Sequence, residues 1–104
     1  MASQLMTDEH KEKLKINRKV LVENIIVQYI CSDLLQENIF TKRELDDISA
    51  QRTNQEKVEK LLDILATNSD EAYWKFIDVL KKSGRKHVAN VLESSNFIIK
   101  QSRN

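Results

Sequence analysis

The sequence predicts an all-α fold, and three observations favour it. The chain of 104 residues contains one glycine and no proline, although β-hairpins and tight strand connections usually need glycine or Asn-Gly. Apolar residues recur at helical spacing, for example at Leu14, Leu21 and Ile25. Serine or threonine precedes several of these apolar stretches, where it is a suitable N-cap. We therefore expect helices joined by short polar connections.

The first two predicted helices occupy the N-terminal third of the chain. The first begins near Thr7, a suitable N-cap, and ends near Ile26. Between residues 20 and 30 the apolar positions spread over more than one face of a straight helix. We therefore expect a bend or break near residues 26–28, after which the second helix continues to about Asn38.

Four further helices complete the prediction. Thr41 is the expected N-cap of the third helix, with Glu44 completing a capping box. Thr53 or Asn54 caps the fourth helix. A polar break at residues 68–70 precedes the fifth helix, and Gly84 lies just beyond the end of that helix. A sixth helix follows. Six short helices predict an antiparallel bundle around one core, spanning residues 7–94 with tails at residues 1–6 and 95–104.

Composition excludes several function classes. The formal net charge of +1 provides no overall field to attract nucleic acid or an anionic membrane. No apolar stretch is long enough to span a membrane, and the N-terminus lacks the apolar region of a secretion signal. The single cysteine, Cys31, cannot form an internal disulfide and suits a reducing compartment. We therefore expect a cytoplasmic protein.

No group of residues indicates catalysis. Cys31 lies among apolar residues, which is typical of an inert buried thiol. His10 and His87 are at opposite ends of the chain and have no partner at metal-ligand spacing. The single glycine also excludes the loops that bind phosphates and dinucleotides. We expect no enzyme activity, no cofactor and no bound metal.

Local charge is uneven although the total is almost neutral. Residues 11–19 contain five cations and one anion, whereas residues 32–50 contain five acids and two cations. Complementary patches on two faces of one molecule allow a head-to-tail contact between copies or relatives. The alternative is that both segments are ordinary solvated faces, since isolated exposed ion pairs contribute only about 0–1 kcal/mol.

Two other features have alternative interpretations. Trp74 lies outside the apolar arc of its helix, so it is a candidate interface anchor; the preferred interpretation is that it folds over the edge of the bundle or under the tail. Residues 81–104 contain six cations and one acid, which is a feature of nucleic-acid binding. These cations are spread around the helix and accompanied by one aromatic residue, Phe97, so a solvated face is the preferred interpretation.

Residues 14–92 resemble the caspase activation and recruitment domain (CARD), a branch of the death-fold superfamily. The resemblance covers about four-fifths of the chain. It is strongest to the prodomains of initiator caspases and to the adaptors that recruit them. It depends on an ordered set of residues: Asn17-Arg18, Leu21-Val22, Leu34-Leu35, Ile39-Phe40-Thr41, Leu45, Ile48, Leu61-Leu62-Asp63-Ile64-Leu65, Ala72, Phe76, Leu80, Gly84, Val88-Ala89 and Leu92.

The resemblance implies a six-helix antiparallel Greek-key bundle with a kinked first helix. It also implies homotypic association, in which a basic patch on the first and fourth helices binds an acidic patch on the second and third. Arg18 falls on a basic position of the family. The basic face would comprise Lys11, Lys15, Arg18, Lys19, Lys57 and Lys60. The acidic face would comprise Asp33, Glu37, Glu44, Asp46 and Asp47.

The first hypothesis is therefore an interaction module that recruits or regulates initiator caspases or related assemblies in apoptosis or innate immunity. Its partner would be another CARD protein, namely a caspase, an adaptor or an assembly platform; a second copy of the chain is also a candidate. A nucleator and a decoy would use the same surfaces, so both roles stay open. The second hypothesis is a small helical nucleic-acid-binding protein that uses residues 81–104. No membrane partner is expected.

Overall fold

The computed structural model describes the backbone of residues 5–101 and the side chains of residues 5–93. The regular secondary structure in this part of the chain consists of helices alone, which confirms the predicted fold class. It contains seven helices where six were predicted. They are α1 (Asp8–Ile16), α2 (Arg18–Asn24), α3 (Val27–Gln36), α4 (Lys42–Ser49), α5 (Asn54–Ala66), α6 (Asp70–Lys82) and α7 (Lys86–Gln101).

The extra helix arises because the first predicted helix is divided in two. Asn17 separates α1 from α2, with φ −97° and ψ 13°. Its side-chain Nδ2 donates to the carbonyl of Lys13 over 2.9 Å, and such local bonds compete with regular helix geometry. Helical bonding nevertheless continues across the interruption, because the Leu21 N–H donates to the Asn17 carbonyl. The two segments therefore form one kinked first helix.

The second break lies at Ile25 and Ile26, slightly before the predicted position, and a distant side chain holds it. Both residues have extended backbone angles. Asn54, at the start of α5, donates from Nδ2 to the Ile25 carbonyl over 2.7 Å. Its Oδ1 accepts from the Val27 N–H at 3.2 Å. One amide thus replaces the helical bonds that the break removes.

Helix ends follow the predicted caps closely. Thr7 caps α1, and both Thr41 and Thr53 form full capping boxes, so Thr53 and not Asn54 is the N-cap of α5. Gly84 has φ +85° directly after the C-cap of α6, as expected for a left-handed helix terminator. Asn38 also has a positive φ, of 60°, where the chain turns after α3.

One apolar core joins all the helices. Tyr73 and Phe76 of α6 are completely buried in it, and the Tyr73 hydroxyl donates to the Leu92 carbonyl of α7 over 3.2 Å. Helix α6 packs on α3 and α7, while α5 packs on α2 and α4. No helix within residues 5–101 is long and apolar enough to cross a membrane.

Parts of the two predicted tails continue the described structure. Met6, assigned to an N-terminal tail, is buried, and its N–H donates to the Asn68 carbonyl over 2.7 Å. Helix α7 continues past residue 94 to Gln101, into the predicted C-terminal tail. Residues 1–4 and 102–104 of the two predicted tails lie outside the described part of the chain. The domain limits of residues 7–94 stay a prediction.

Candidate protein-interaction surface

Half of the predicted basic face lies along a shallow groove beside α2 and α5. We call this the basic groove; it is lined by Lys15, Ile16, Arg18, Lys19, Val22 and Gln55, together with the carboxylates of Glu23 and Glu59. Ile16 is 54% exposed there. Val22 is only partly buried against the core. The groove therefore presents apolar surface between three cations.

Arg18 is only loosely held within the molecule. Its guanidinium lies 3.4 Å from the Asp63 carboxylate, and a hydrogen bond of 3.4 Å reaches the Glu59 carbonyl. The side chains of Arg18 and Asp63 are 38% and 66% exposed, and exposed pairs of this kind contribute only about 0–1 kcal/mol. A partner's carboxylate can therefore compete with Asp63 for Arg18.

The other predicted basic residues lie outside the groove. Lys11 is on α1, and Lys57 and Lys60 are on α5; all three are half-buried. None of them has an ion pair within residues 5–93. Lys13, a further cation of the 11–19 segment, is buried, with its Nζ 4.0 Å from the Glu9 carboxylate. The exposed positive charge of α1 is thus smaller than the sequence count indicates.

The five predicted acidic residues differ in how they are used. Glu37 pairs with Lys82 at 3.5 Å, and its charge, followed by that of Asp78, raises the pKa of Lys82. Asp46 pairs with Lys42 at 3.7 Å. Glu44 completes the capping box of α4. Within residues 5–93, Asp33 and Asp47 have no ion pair, so their carboxylates are available to a partner.

The two predicted faces do not neutralise each other. Among the described side chains, no ion pair joins a residue of the basic set to one of the acidic set. The basic residues belong to α1, α2 and α5, whereas the acidic residues belong to α3, the turn after it and α4. The two predicted sets therefore lie on different helices and, within the described side chains, are not paired with each other.

Asp33 belongs to a surface that also carries exposed apolar side chains. Tyr29 and Asp33 are four residues apart on one side of α3, and Ile26, the N-cap of α3, lines the same pocket; we call these three residues the α3 face. They line a small pocket together with Leu80 of α6 and Arg85. Tyr29 is 68% exposed. Charge patterning alone did not identify this apolar component.

Trp74, the predicted interface anchor, lies at a different site. It is 47% exposed and makes edge-to-face contacts with the rings of His10 and Tyr73, at centroid distances of 5.3 and 5.4 Å. The indole thus packs partly over the edge of the bundle against α1. Its role in binding a partner stays a prediction.

His10 has partners that sequence spacing could not reveal. Its ring stacks on Tyr73 at 4.1 Å, and Nδ1 lies 2.7 Å from the Asp70 carboxylate. Burial by itself would raise the pKa of Asp70, but the hydrogen bond from the Thr7 backbone and the interactions with His10 outweigh it and lower this pKa. Sixty residues separate His10 from Asp70, so the contact fastens the start of α1 to α6.

The described cations of the C-terminal segment are largely engaged within the molecule. Lys81 pairs with Glu93 at 2.7 Å, and Lys82 pairs with Glu37 and Asp78. Arg85 donates from Nε to the Asn24 carbonyl over 2.8 Å. The side chains of residues 94–104, which include Phe97 and the two last cations, lie outside the described part. Within residues 81–93, the cations form no aligned surface for phosphates.

Comparison with known families agrees with this fold. The family model described as CARD, caspase recruitment domain, matches residues 11–95, which is most of the chain. The chain belongs to this family. CARDs are death-fold helical bundles and protein-interaction domains of apoptotic and inflammatory signalling, and they bind other CARDs. The match confirms the family, the fold and, at this general level, the homotypic interaction function.

Proposed function

We propose that this CARD recruits or regulates an initiator caspase, or a related signalling assembly, by binding the CARD of that protein or of its adaptor. The chain acts by association and not by catalysis. The observation that carries the proposal is the separation of charge: the basic groove and the acidic residues of α3 and α4 are not paired with each other. A partner can therefore use either surface.

The chemistry of the groove defines its side of the contact. The groove offers an acidic binding protein three cations, namely Lys15, Arg18 and Lys19. Within the described residues, Arg18 is the one of these three that forms an ion pair, with Asp63. Charge complementarity mainly increases the association rate and fixes the register of a complex. Because these side chains are solvated, binding should weaken as salt shortens the Debye length. A cytoplasmic location belongs to the same proposal and suits the free thiol of Cys31.

The test is a pull-down against a panel of CARDs with charge-reversal variants. We expect Arg18→Glu and Lys19→Glu to abolish capture of the partner and Lys86→Glu to leave it unchanged. Lys86 is exposed on α7 and does not line the groove, so this control makes the same change of charge outside it. The Lys19 side chain has no hydrogen bond or ion pair within residues 5–93. We therefore expect Lys19→Glu to keep the fold, which circular dichroism checks.

Capture that is insensitive to both groove variants would refute the assignment of this surface. Binding of labelled DNA at moderate salt, without capture of any CARD, would instead favour the nucleic-acid hypothesis. A nucleator and a decoy differ in their effect on the captured partner: a nucleator promotes growth of the partner's assembly, whereas a decoy stops it. Light scattering of the partner with substoichiometric amounts of this chain distinguishes them.

A further inference from the structure

The outer side of α6 carries a row of charged side chains with one exposed aromatic ring. Its members recur at intervals of three or four residues, which places them on one side of the helix. All of them are exposed or half-buried. None of them lines the basic groove. We call this row the α6 face; it consists of Glu71, Trp74, Lys75, Asp78, Lys81 and Lys82.

Four charges of the α6 face alternate in sign along the helix. Each acid is followed four residues later by a lysine, and the two resulting ion pairs both measure 3.6 Å: Lys75 with Glu71, and Lys82 with Asp78. All four side chains are at least 39% exposed, so these pairs contribute only about 0–1 kcal/mol each. Charges of a second molecule can therefore pair with the same four side chains.

The order of these charges is self-complementary about the point halfway between Lys75 and Asp78. When a second copy of α6 lies antiparallel about this point, Glu71 faces Lys82 of that copy. In the same arrangement Lys75 faces Asp78, and two-fold symmetry repeats both pairs. A parallel arrangement would place each charge opposite itself, and such like-charge contacts are costly. The sequence of signs therefore selects an antiparallel second copy.

We propose that the α6 face binds the α6 face of a second copy of this chain, with the two helices antiparallel about a two-fold axis. This contact closes at two copies, because each copy uses the same surface. The inference goes beyond the proposed function and uses no residue of the basic groove. A dimer presents two such grooves to an assembly of partner CARDs, and two linked sites increase the overall affinity.

Trp74 provides the apolar part of the contact. At 1.5 Å per residue it lies about 4 Å along the helix from the two-fold point, and Lys81 of the second copy lies about 3 Å farther along on the same flank. An ammonium there can pack against the exposed indole. Although Lys81 also pairs with Glu93 at 2.7 Å, an ammonium has three donors. Edge contacts with His10 and Tyr73 hold the Trp74 ring, which reduces the entropy lost on binding.

The first experiment measures self-association of the full chain over a concentration series by sedimentation. We expect Trp74→Ala to weaken self-association at least tenfold. The matched control is Leu35→Ala, which truncates an exposed apolar side chain of α3, 44% exposed, outside the α6 face; it should change self-association less than twofold. Circular dichroism verifies that each variant is folded. A wild type that stays monomeric, or a folded Trp74→Ala that self-associates like the wild type, overturns the inference.

The second experiment tests the antiparallel register by disulfide cross-linking in a Cys31→Ser background. In the proposed dimer Glu71 of one copy lies beside Lys82 of the other, whereas the two copies of Glu71 are about 16 Å apart along the helix axis. A mixture of Glu71→Cys and Lys82→Cys should therefore cross-link at least tenfold more than either variant alone. Both positions are exposed, so both variants are expected to fold. Equal cross-linking of the mixture and the single variants would contradict the proposed contact.

The outcomes separate this inference from the proposed function. If the mixture cross-links as expected but Arg18→Glu and Lys19→Glu leave capture of another CARD unchanged, the inference stands and the proposed function fails. If Arg18→Glu abolishes capture but the mixture cross-links no more than the single variants, the inference fails and the proposed function stands. Self-association that Arg18→Glu removes and Trp74→Ala preserves belongs to the groove and also overturns the inference.

Discussion

Replacing Asn54 with alanine should destabilise the bundle by about 2 kcal/mol. Asn54 donates to the Ile25 carbonyl at 2.7 Å and accepts from the Val27 N–H at 3.2 Å. Each such hydrogen bond contributes about 0.5–1.5 kcal/mol net, and a part-buried backbone group left unpaired adds to the loss. Both lost bonds lie at the junction of α2 and α3, which also sets the position of Tyr29.

Urea unfolding followed by circular dichroism measures this loss. With a slope of about 1–3 kcal/mol per molar urea, the midpoint of Asn54→Ala should fall by about 1 M, and Tm should fall by about 10 °C. Gln55→Ala is the matched control, since the hydrogen bond from the Gln55 amide to the Glu59 carboxylate is solvent-exposed; we expect it to change stability by less than about 0.5 kcal/mol. A midpoint for Asn54→Ala equal to that of Gln55→Ala would refute the role of Asn54.

Two further predictions concern the ends of α6. Gly84→Ala should destabilise the fold by about 1–2 kcal/mol, because Gly84 has φ +85° while nothing lies within 4 Å of the added Cβ; a urea midpoint equal to that of the wild type would contradict this. Because the pKa of Asp70 is lowered in the folded state, its stabilising contribution is present above the unfolded value and is lost as the pH falls through the folded one. Asp70→Asn should therefore reduce the loss of stability as the pH falls below the ordinary aspartate value of 3.8, and an unchanged pH dependence would count against the contacts of Asp70 with Thr7 and His10.

Local signals in the sequence predicted much of the fold correctly. Thr7, Thr41 and Thr53 are N-caps as expected, because capping depends on side chains within three residues of the helix start. Gly84 ends α6 because a positive φ is readily available to glycine. The family resemblance supplied the remaining step, from six helices to a death fold. Each of these features is encoded within a few residues or in an ordered pattern along the chain.

Long-range pairing could not be predicted in the same way. Asn54 looked like an alternative cap for its own helix, yet its amide holds a break 29 residues earlier. His10 has no partner at metal-ligand spacing in the sequence, but it stacks on Tyr73 and contacts Asp70. Lys13 counted as surface charge and is buried. The packing of α5 on α2 and α3 places Asn54 beside the break, and the position of α6 beside the start of α1 brings Tyr73 and Asp70 to His10.

Long-range pairing also determines which charged side chains are available to a binding partner. The sequence identified a basic and an acidic segment. Of the acidic residues, Glu37 and Asp46 form ion pairs within the molecule, whereas Asp33 and Asp47 form none with the described side chains. Charges act over roughly 10 Å at 0.1 M salt, so Arg18 attracts an acidic partner before the two surfaces touch. Arg18→Glu should therefore lower mainly the association rate with the partner CARD, and the remaining rate should depend less on salt. An association rate of Arg18→Glu equal to that of the wild type would show that this charge does not act during the approach of the partner.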